Sequence, residues 1–255
     1  MYDVIRIVGV DLGQQRDPTA IAVVERGYVN AGALYNAEYW LPGNKWRERR
    51  QIYAAHEPVE LEYHVRHLER PALGTSYVDV VERIIALLKS LGDEELVLAV
   101  DTTGVGRPVA DMLKRRLQEW LEADRSIQLN TAWITITGGD SVTKVEGGGL
   151  RVPKRYLASA PLVLMQNKQL KIAEGLQLAD TLKRELLNFK VKINIATGHD
   201  SYEAWREGDH DDLVLAVAMA CWCGERYLRK EDSIPRPGIV ADDGIPMNVV
   251  GYRRA

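Results

Sequence analysis

Cysteine is scarce in this sequence: Cys221 and Cys223 are the only two in 255 residues. They lie two residues apart in one apolar segment, which fits neither a zinc motif nor a disulfide, so we expect small core residues in a reducing compartment. A signal peptide is also lacking, because no basic stretch followed by an apolar one begins the chain. The longest apolar run, 213–223, is shorter than the roughly 20 residues that cross a bilayer. We therefore expect a soluble, cytoplasmic protein with no membrane partner.

A general excess of positive charge is absent as well, since the net charge is -3. The hydrophobic fraction of 46% can build a sizeable core, which excludes a disordered chain. A nucleic-acid partner would need a local basic patch. Between Asp140 and Lys192, ten Lys and Arg stand against five Asp and Glu, a local charge of 10 − 5 = +5. An ordinary solvated surface shows the same pattern, but as nucleic-acid-binding candidates we name Lys144, Arg151, Lys154, Arg155, Lys183 and Arg184.

The chain does contain a series of short apolar runs and helical periodicities. From these patterns we predict one domain over residues 1–228, with a charged insertion at 27–58 and a flexible C-terminal tail at 229–255. A mixed sheet covered by helices on both faces is expected. The predicted strands are 4–11, 19–26, 60–68, 96–101, 129–137 and 191–195. The predicted helices are 81–92, 108–121, 153–166, 176–189 and 211–228.

Three of the apolar segments carry aspartate at one end, and these acids form the candidate catalytic and metal site. Asp11 ends the first predicted strand, Asp101 ends the strand 96–101, and Asp211 and Asp212 begin the last predicted helix. Carboxylates gathered at one rim of a sheet need a pairing charge or a bound cation. Oxygen-only ligands favour Mg²⁺ or Mn²⁺ over zinc. Successive helix residues point about 100° apart, so only one acid of the pair faces the site squarely, and we favour Asp212.

Each motif also has a simpler explanation. Asp11 could cap a turn after its strand, and the segment 101–104 has the form of a glycine-rich phosphate loop. The adjacent acids could be helix caps, a role worth about 1 kcal/mol. One acid would serve that role, so the doubled acid favours the metal interpretation. His210 is either a helix-start residue or, like Asp17, an outer-shell group near the metals.

Taken together, the three segments resemble the nuclease domain of phage terminase large subunits, in the ribonuclease H-like superfamily. The matching pieces are Gly-Val-Asp-Leu-Gly at 9–13, Val-Asp-Thr-Thr-Gly at 100–104 and His-Asp-Asp-Leu-Val-Leu-Ala at 210–216. The resemblance covers about residues 4–228 and implies an α/β, ribonuclease H-like fold. It implies two ions, with Asp11 between them and Asp101 and Asp211 or Asp212 outside, and cleavage of double-stranded DNA with little sequence preference. Two-metal hydrolysis of phosphodiesters uses ions about 3.5–4 Å apart.

The resemblance also implies a biological setting. Terminase large subunits cut concatemeric phage DNA during packaging, which implies a phage or prophage origin and a bacterial host cell. The implied partners are a separate packaging ATPase, a portal or a small terminase subunit. The sequence lacks the Gly-x-x-x-x-Gly-Lys-Ser/Thr loop of the terminase ATPase domain. We therefore expect either the nuclease domain alone or a free-standing relative.

Two other functions stay open. An ATP-binding domain of the actin and sugar-kinase type also begins with an Asp-x-Gly turn, but it normally needs two such domains. It also gives no reason for the acid pair on the last helix. The second alternative also binds DNA: it is either a junction resolvase, which cleaves four-way junctions, or a DNA-binding module without catalytic activity.

Overall fold

The computed structural model describes residues 2–13, 17–30, 59–92, 95–104, 106–146, 148–193 and 211–227. Strands β1 to β8 are Tyr2–Asp11, Ala20–Asn30, Val59–Glu69, Leu96–Asp101, Leu129–Thr137, Thr143–Lys144, Leu150–Pro153 and Leu170–Ile172. Helices α1 to α5 are Tyr77–Ser90, Gly106–Ala123, Lys154–Gln166, Ala179–Ile193 and Asp212–Tyr227. The predicted tail at 229–255 lies outside the described residues.

The eight strands form one sheet in the order β6-β7-β5-β4-β1-β2-β3-β8. The neighbours β7, β5, β4 and β1 are parallel, whereas β2 is antiparallel to both β1 and β3. At the two edges, β8 is parallel to β3 and β6 is antiparallel to β7. The sheet is mixed, as expected. Strand β4 is central and buried along its whole length, which is why its sequence is a continuous apolar run.

Helices cover both faces of this sheet, which confirms the α/β fold class with a mixed central sheet expected from the sequence. Strand side chains alternate between the faces. Ile7 and Ala99 pack with α3, α4 and α5 on one face, here called the α5 face, whereas Val8 packs with α1 and α2 on the other. Asp11 lies four residues after Ile7, and Asp101 lies two residues after Ala99. Both acids therefore belong to the α5 face.

Helix α5 is apolar almost all round because it is enclosed on all sides. Residues 213–223 are buried between the sheet and helices α3 and α4. The free thiols of Cys221 and Cys223 are part of this core, as expected, and burial raises the pKa of both. Within the described ranges, no helix combines the length and apolarity needed to cross a membrane.

A buried polar network holds α5 near its C-terminal end. The Arg26 side chain, 3% exposed, donates from Nε to the Tyr63 hydroxyl at 3.2 Å. That hydroxyl donates in turn to Glu225 Oε1 at 2.6 Å. Burial and the neighbouring Glu225 raise the pKa of Tyr63, so the phenol keeps its proton and remains a donor. The network ties the end of α5 to β2 and β3.

Two predicted elements differ from the structure in the region after β7. Residues 191–193 belong to α4, so the predicted strand 191–195 is wrong there, and residues 194–195 lie outside the described part. The β-branched residues Val191, Ile193 and Ile195 favour a strand. The helix that contains buried Leu182 and Leu186 nevertheless continues to residue 193. The helix predicted from 176 begins at Ala179, because Leu178 has a φ of 66° in the left-handed region.

Other differences concern short or extended strands. Pro153 ends β7 and precedes α3, rather than opening the helix. Strands β6, β7 and β8 were not predicted, because two to four residues are too few to show an alternation. Strand β2 continues to Asn30, so residues 27–30 belong to the sheet rather than to the expected insertion. Residues 31–58 lie outside the described part.

Candidate active site

Asp11 and Asp101 end two neighbouring parallel strands. The strands are in register with Val10 opposite Val100, so the acids that follow them are adjacent at one edge of the sheet. Both are buried, at 8% and 6% exposure. By the alternation described above, both side chains project toward the α5 face. The structure thus brings together two acids that are 90 residues apart in the sequence (101 − 11).

The loop after β4 is tied to both Asp101 and the neighbouring strand β5. Asp101 Oδ1 accepts the backbone N–H of Thr103 at 2.7 Å, and the N–H of Thr102 donates to the Ile134 carbonyl at 2.7 Å. The Thr103 hydroxyl accepts the N–H of Ile136, also at 2.7 Å. These bonds orient the Asp101 carboxylate. They also occupy amide donors that a phosphate-binding loop would offer to a ligand, which argues against that alternative.

Helix α5 carries the third group of acids to the same place because Gly9 lets it lie directly against β1. A Cβ atom at Gly9 would stand 1.9 Å from the Ala216 carbonyl oxygen and 3.4 Å from the Ala220 Cβ. Gly9 precedes Asp11 by two residues on the same face, and Ala216 lies about one helical turn after Asp212. The close approach of strand and helix therefore sets the acidic N-terminus of α5 beside the end of β1.

The other three acids are near enough to Asp11 to raise its pKa. Burial raises the pKa of Asp11 well above its ordinary value, and the charges of Asp101, Asp212 and Asp211 raise it further, in that order. Lys154 at the start of α3 acts in the opposite direction. All four predicted catalytic acids therefore act on a single electrostatic site.

Within that site, the two adjacent acids have different cationic partners. Asp211 Oδ2 lies 3.4 Å from Lys154 Nζ, and their side chains are 21% and 15% exposed. Asp212 Oδ2 lies 3.4 Å from a guanidinium nitrogen of Arg70, in the segment after β3. The same nitrogen donates to Glu185 Oε1 of α4 at 2.6 Å.

Glu185 also performs the capping that simple helix-start chemistry would assign to the acid pair. Its Oε2 accepts the backbone N–H of Val214 at 3.2 Å, in the first turn of α5. The Asp211 carbonyl accepts the N–H of Leu215 at 2.9 Å and so begins the helix. Burial raises the pKa of Glu185, although Arg70 opposes this shift. The capping explanation for the doubled acid is therefore weakened, because this amide is bound from another helix.

Arg70 and Glu185 are site residues that the sequence pattern did not single out. Glu185 occupies the apolar face of α4 together with Leu182 and Leu186, at the spacing i, i+3, i+4. A carboxylate in such a stripe is a detectable signal, since an ionised acid is rarely buried without a partner. Arg70 follows a strand and carries no comparable signal.

The acids fit a divalent cation by their chemistry, although their side chains are turned toward protein partners. Among the described residues, no three His, Cys, Asp or Glu side chains are placed to hold one metal ion together. A backbone amide, a lysine and an arginine occupy oxygens of Asp101, Asp211 and Asp212. The donor set consists of carboxylate oxygens only, and Asp11 is buried among like charges. Such a set suits Mg²⁺ or Mn²⁺ once the lysine and the arginine are displaced.

The remaining predicted residues are spread around the α5 face and the sheet edge. Lys144 and Arg151 are exposed on the β6–β7 pair, while Arg155 contacts Asp140 Oδ1 at 2.7 Å. Lys154 turns inward to the acids instead of joining an exposed surface. Asp17 is exposed in the β1–β2 connection, and His210 lies outside the described residues. On α4, Lys183 contacts Asp180 Oδ1 at 3.1 Å and Arg184 contacts the Asp180 carbonyl at 3.4 Å.

The fold and the acidic edge define a mixed α/β domain with a cluster of carboxylates at one edge of its sheet. Two solved structures of the human cytomegalovirus terminase nuclease domain, one soaked with manganese, are similar to this chain. Their sequence identities are 14% and 15% and their TM-scores 0.46 and 0.47. Each match covers 88% of this chain and 85% of the solved chain. No protein-family model matches the chain, and neither does any curated protein sequence.

Proposed function

We propose that this protein is a metal-dependent endonuclease that hydrolyses phosphodiester bonds in DNA. The observation that carries the proposal is the convergence of carboxylates from β1, β4 and the start of α5 around buried Asp11. Like charges at a buried site destabilise the fold unless a cation balances them. A bound divalent cation would reduce this repulsion, which supports the proposal.

In this proposal, Asp11, Asp101 and Asp212 would hold two divalent ions. Divalent ions at such a site supply positive charge for an attacking water, for the scissile phosphate and for the leaving oxygen. The protein supplies orientation, because the Thr103 amide binds one oxygen of the Asp101 carboxylate. Burial keeps bulk water away from Asp11 and strengthens its interaction with a cation.

The proposed substrate is double-stranded DNA, read through its backbone with little sequence preference. Exposed cations on the β6–β7 pair, on α3 and on α4 support contact with DNA phosphates. The candidates are Lys144, Arg151, Arg155, Lys183 and Arg184. We further propose, on the motif resemblance, that the enzyme acts in DNA packaging with an ATPase, a portal or a small terminase subunit.

Plasmid digestion tests the proposal. Purified protein is incubated with supercoiled plasmid and Mg²⁺, Mn²⁺ or EDTA, and the products are separated on agarose. We expect nicked and linear DNA with either metal and none with EDTA. The Asp11→Asn variant should be inactive although folded. Binding of the plasmid without cleavage under every divalent ion would support a DNA-binding module, and metal-dependent ATP hydrolysis would support the actin-like alternative.

A further inference from the structure

Lys154 occupies an unusual place for a lysine at the start of a helix. It follows Pro153, the last residue of β7, which pairs with Thr137 at the end of β5. Because β7, β5, β4 and β1 are parallel, Lys154 emerges at the edge of the sheet where Asp11 and Asp101 end. The topology therefore delivers a cation to the edge that carries the acids.

The Lys154 side chain turns into the site rather than outward. Its side chain is 15% exposed and its Nζ lies 3.4 Å from Asp211 Oδ2. The next residue, Arg155, shows the opposite behaviour: its side chain is 48% exposed and contacts Asp140 on the surface. A long alkyl chain normally carries its ammonium group to water. The acids have thus drawn Lys154 inward.

We infer that Lys154 is a built-in counter-ion of the acidic site, which balances Asp211 and its neighbours in the metal-free protein and is displaced when divalent cations bind. This inference rests on the proposed function, since it presumes that the acids take a metal. An ammonium group and a divalent cation repel each other at the short separation that the site allows. The two cations therefore compete for Asp211.

The consequence for the enzyme is that metal binding changes what Lys154 contacts. In the metal-free protein the ammonium holds Asp211 and lowers the pKa of Asp11. A displaced ammonium stays on its flexible side chain, and we expect it to contact a phosphate of the substrate. Lys154 then positions DNA only when the metal is already bound. A plain structural ion pair would stabilise the fold but would not affect metal affinity.

The test measures Mn²⁺ binding by calorimetry and metal-free thermal unfolding, both without DNA. Lys154→Gln should bind Mn²⁺ about tenfold more tightly than the wild type, because no ammonium has to be displaced. Its melting temperature in EDTA should be lower, since the repulsion among the acids is no longer balanced. Lys154→Arg retains the charge and should restore a dissociation constant near the wild-type value.

Lys171→Gln is the matched control. Lys171 Nζ lies 3.6 Å from Glu62 Oε1 on the β8–β3 side of the sheet, away from the acids. Its removal should leave Mn²⁺ affinity unchanged. If Lys154→Gln does not fold, the double variant with Asp211→Asn restores the charge balance. In a metal-free double-mutant cycle, the two changes should cost less together than their sum.

The outcomes separate the inference from the proposed function. If the wild type binds Mn²⁺ and Lys154→Gln binds it equally or more weakly, the counter-ion role is overturned while the metal site stands. If the wild type binds no divalent ion, the proposed function fails, and with it the displacement of Lys154. An unchanged metal-free melting temperature in Lys154→Gln would overturn the charge balance independently of any metal.

Discussion

Replacing Gly9 by alanine should move helix α5 away from strand β1 and disable the site from a distance. The added Cβ would stand 1.9 Å from the Ala216 carbonyl oxygen. An ordinary van der Waals contact begins near 3.4 Å, so strand and helix must separate by about 1.5 Å (3.4 − 1.9). The obstacle is backbone, so rotation of a side chain cannot relieve it.

The size of the effect follows from that displacement. Overpacking of a close-packed interior costs about 1–3 kcal/mol, and a backbone obstacle belongs at the upper end. For a domain of this size, about 3 kcal/mol corresponds to a fall of roughly 6–12 °C in melting temperature. The same shift moves Asp212 relative to Asp11. A misplacement of about 1 Å at a catalytic site can lower activity by about 100-fold.

The assay is thermal unfolding in EDTA, followed by plasmid cleavage at a temperature where the variant remains folded. Gly139→Ala is the matched control, because its Cβ would meet only the Thr137 hydroxyl at 3.7 Å. That control should melt within about 1 °C of the wild type and cleave normally. A Gly9→Ala protein with wild-type melting temperature and activity would show that the strand–helix contact does not position the acids.

Three further predictions concern charges at the site. The pKa of Asp11 in the folded protein is raised above its ordinary value of 3.8, so the wild type loses stability as the pH rises from 3.8 through the folded-state pKa. In EDTA, Asp11→Asn should therefore melt above the wild type at pH 7. The two proteins should melt at the same temperature near pH 3.5. A lower melting temperature at pH 7 would make Asp11 structural. Arg70→Gln leaves two buried carboxylates without their cation and should cost about 3 kcal/mol in urea unfolding at pH 7. That cost should shrink at pH 4, because burial raises the pKa of Glu185 and this carboxyl gains a proton there. Arg83→Gln, at an exposed arginine, should cost under about 0.5 kcal/mol. Asp212→Asn should abolish cleavage and Asp211→Asn should weaken it, across a Mn²⁺ titration. The reverse order would exchange the two roles, and two active variants would refute the acidic site.

The sequence predicts the parts of the fold that are buried on every side. Strand β4 has the predicted bounds, and α5 differs by one residue at its start. Both are continuous apolar runs, and the length of each run distinguishes the strand from the helix. The ends of such runs are also predictable, because a carboxylate cannot continue into the core. For that reason the sequence alone marks Asp11, Asp101 and Asp212 as candidates.

Contacts between distant segments could not be predicted in this way. Arg70 and Glu185 are 115 residues apart, and their ion pair depends on how α4 packs against the start of α5. The inward turn of Lys154 has the same origin, since composition placed it among the surface cations. Local sequence patterns identify the charged side chains but do not predict their contacts. The packing of α3 and α4 over α5 determines which charges meet.

Asp211 and Asp212 have different cationic partners, which indicates that the two acids have different roles at the site. Asp212 is the more buried of the two, at 10% side-chain exposure, and its Oδ2 lies 3.4 Å from Arg70, which donates to Glu185 at 2.6 Å. Asp211 is more exposed and faces Lys154, a point charge on a flexible chain. We infer that Asp212 is the direct metal ligand. Asp211 would exchange its contact with Lys154 for a contact with the metal.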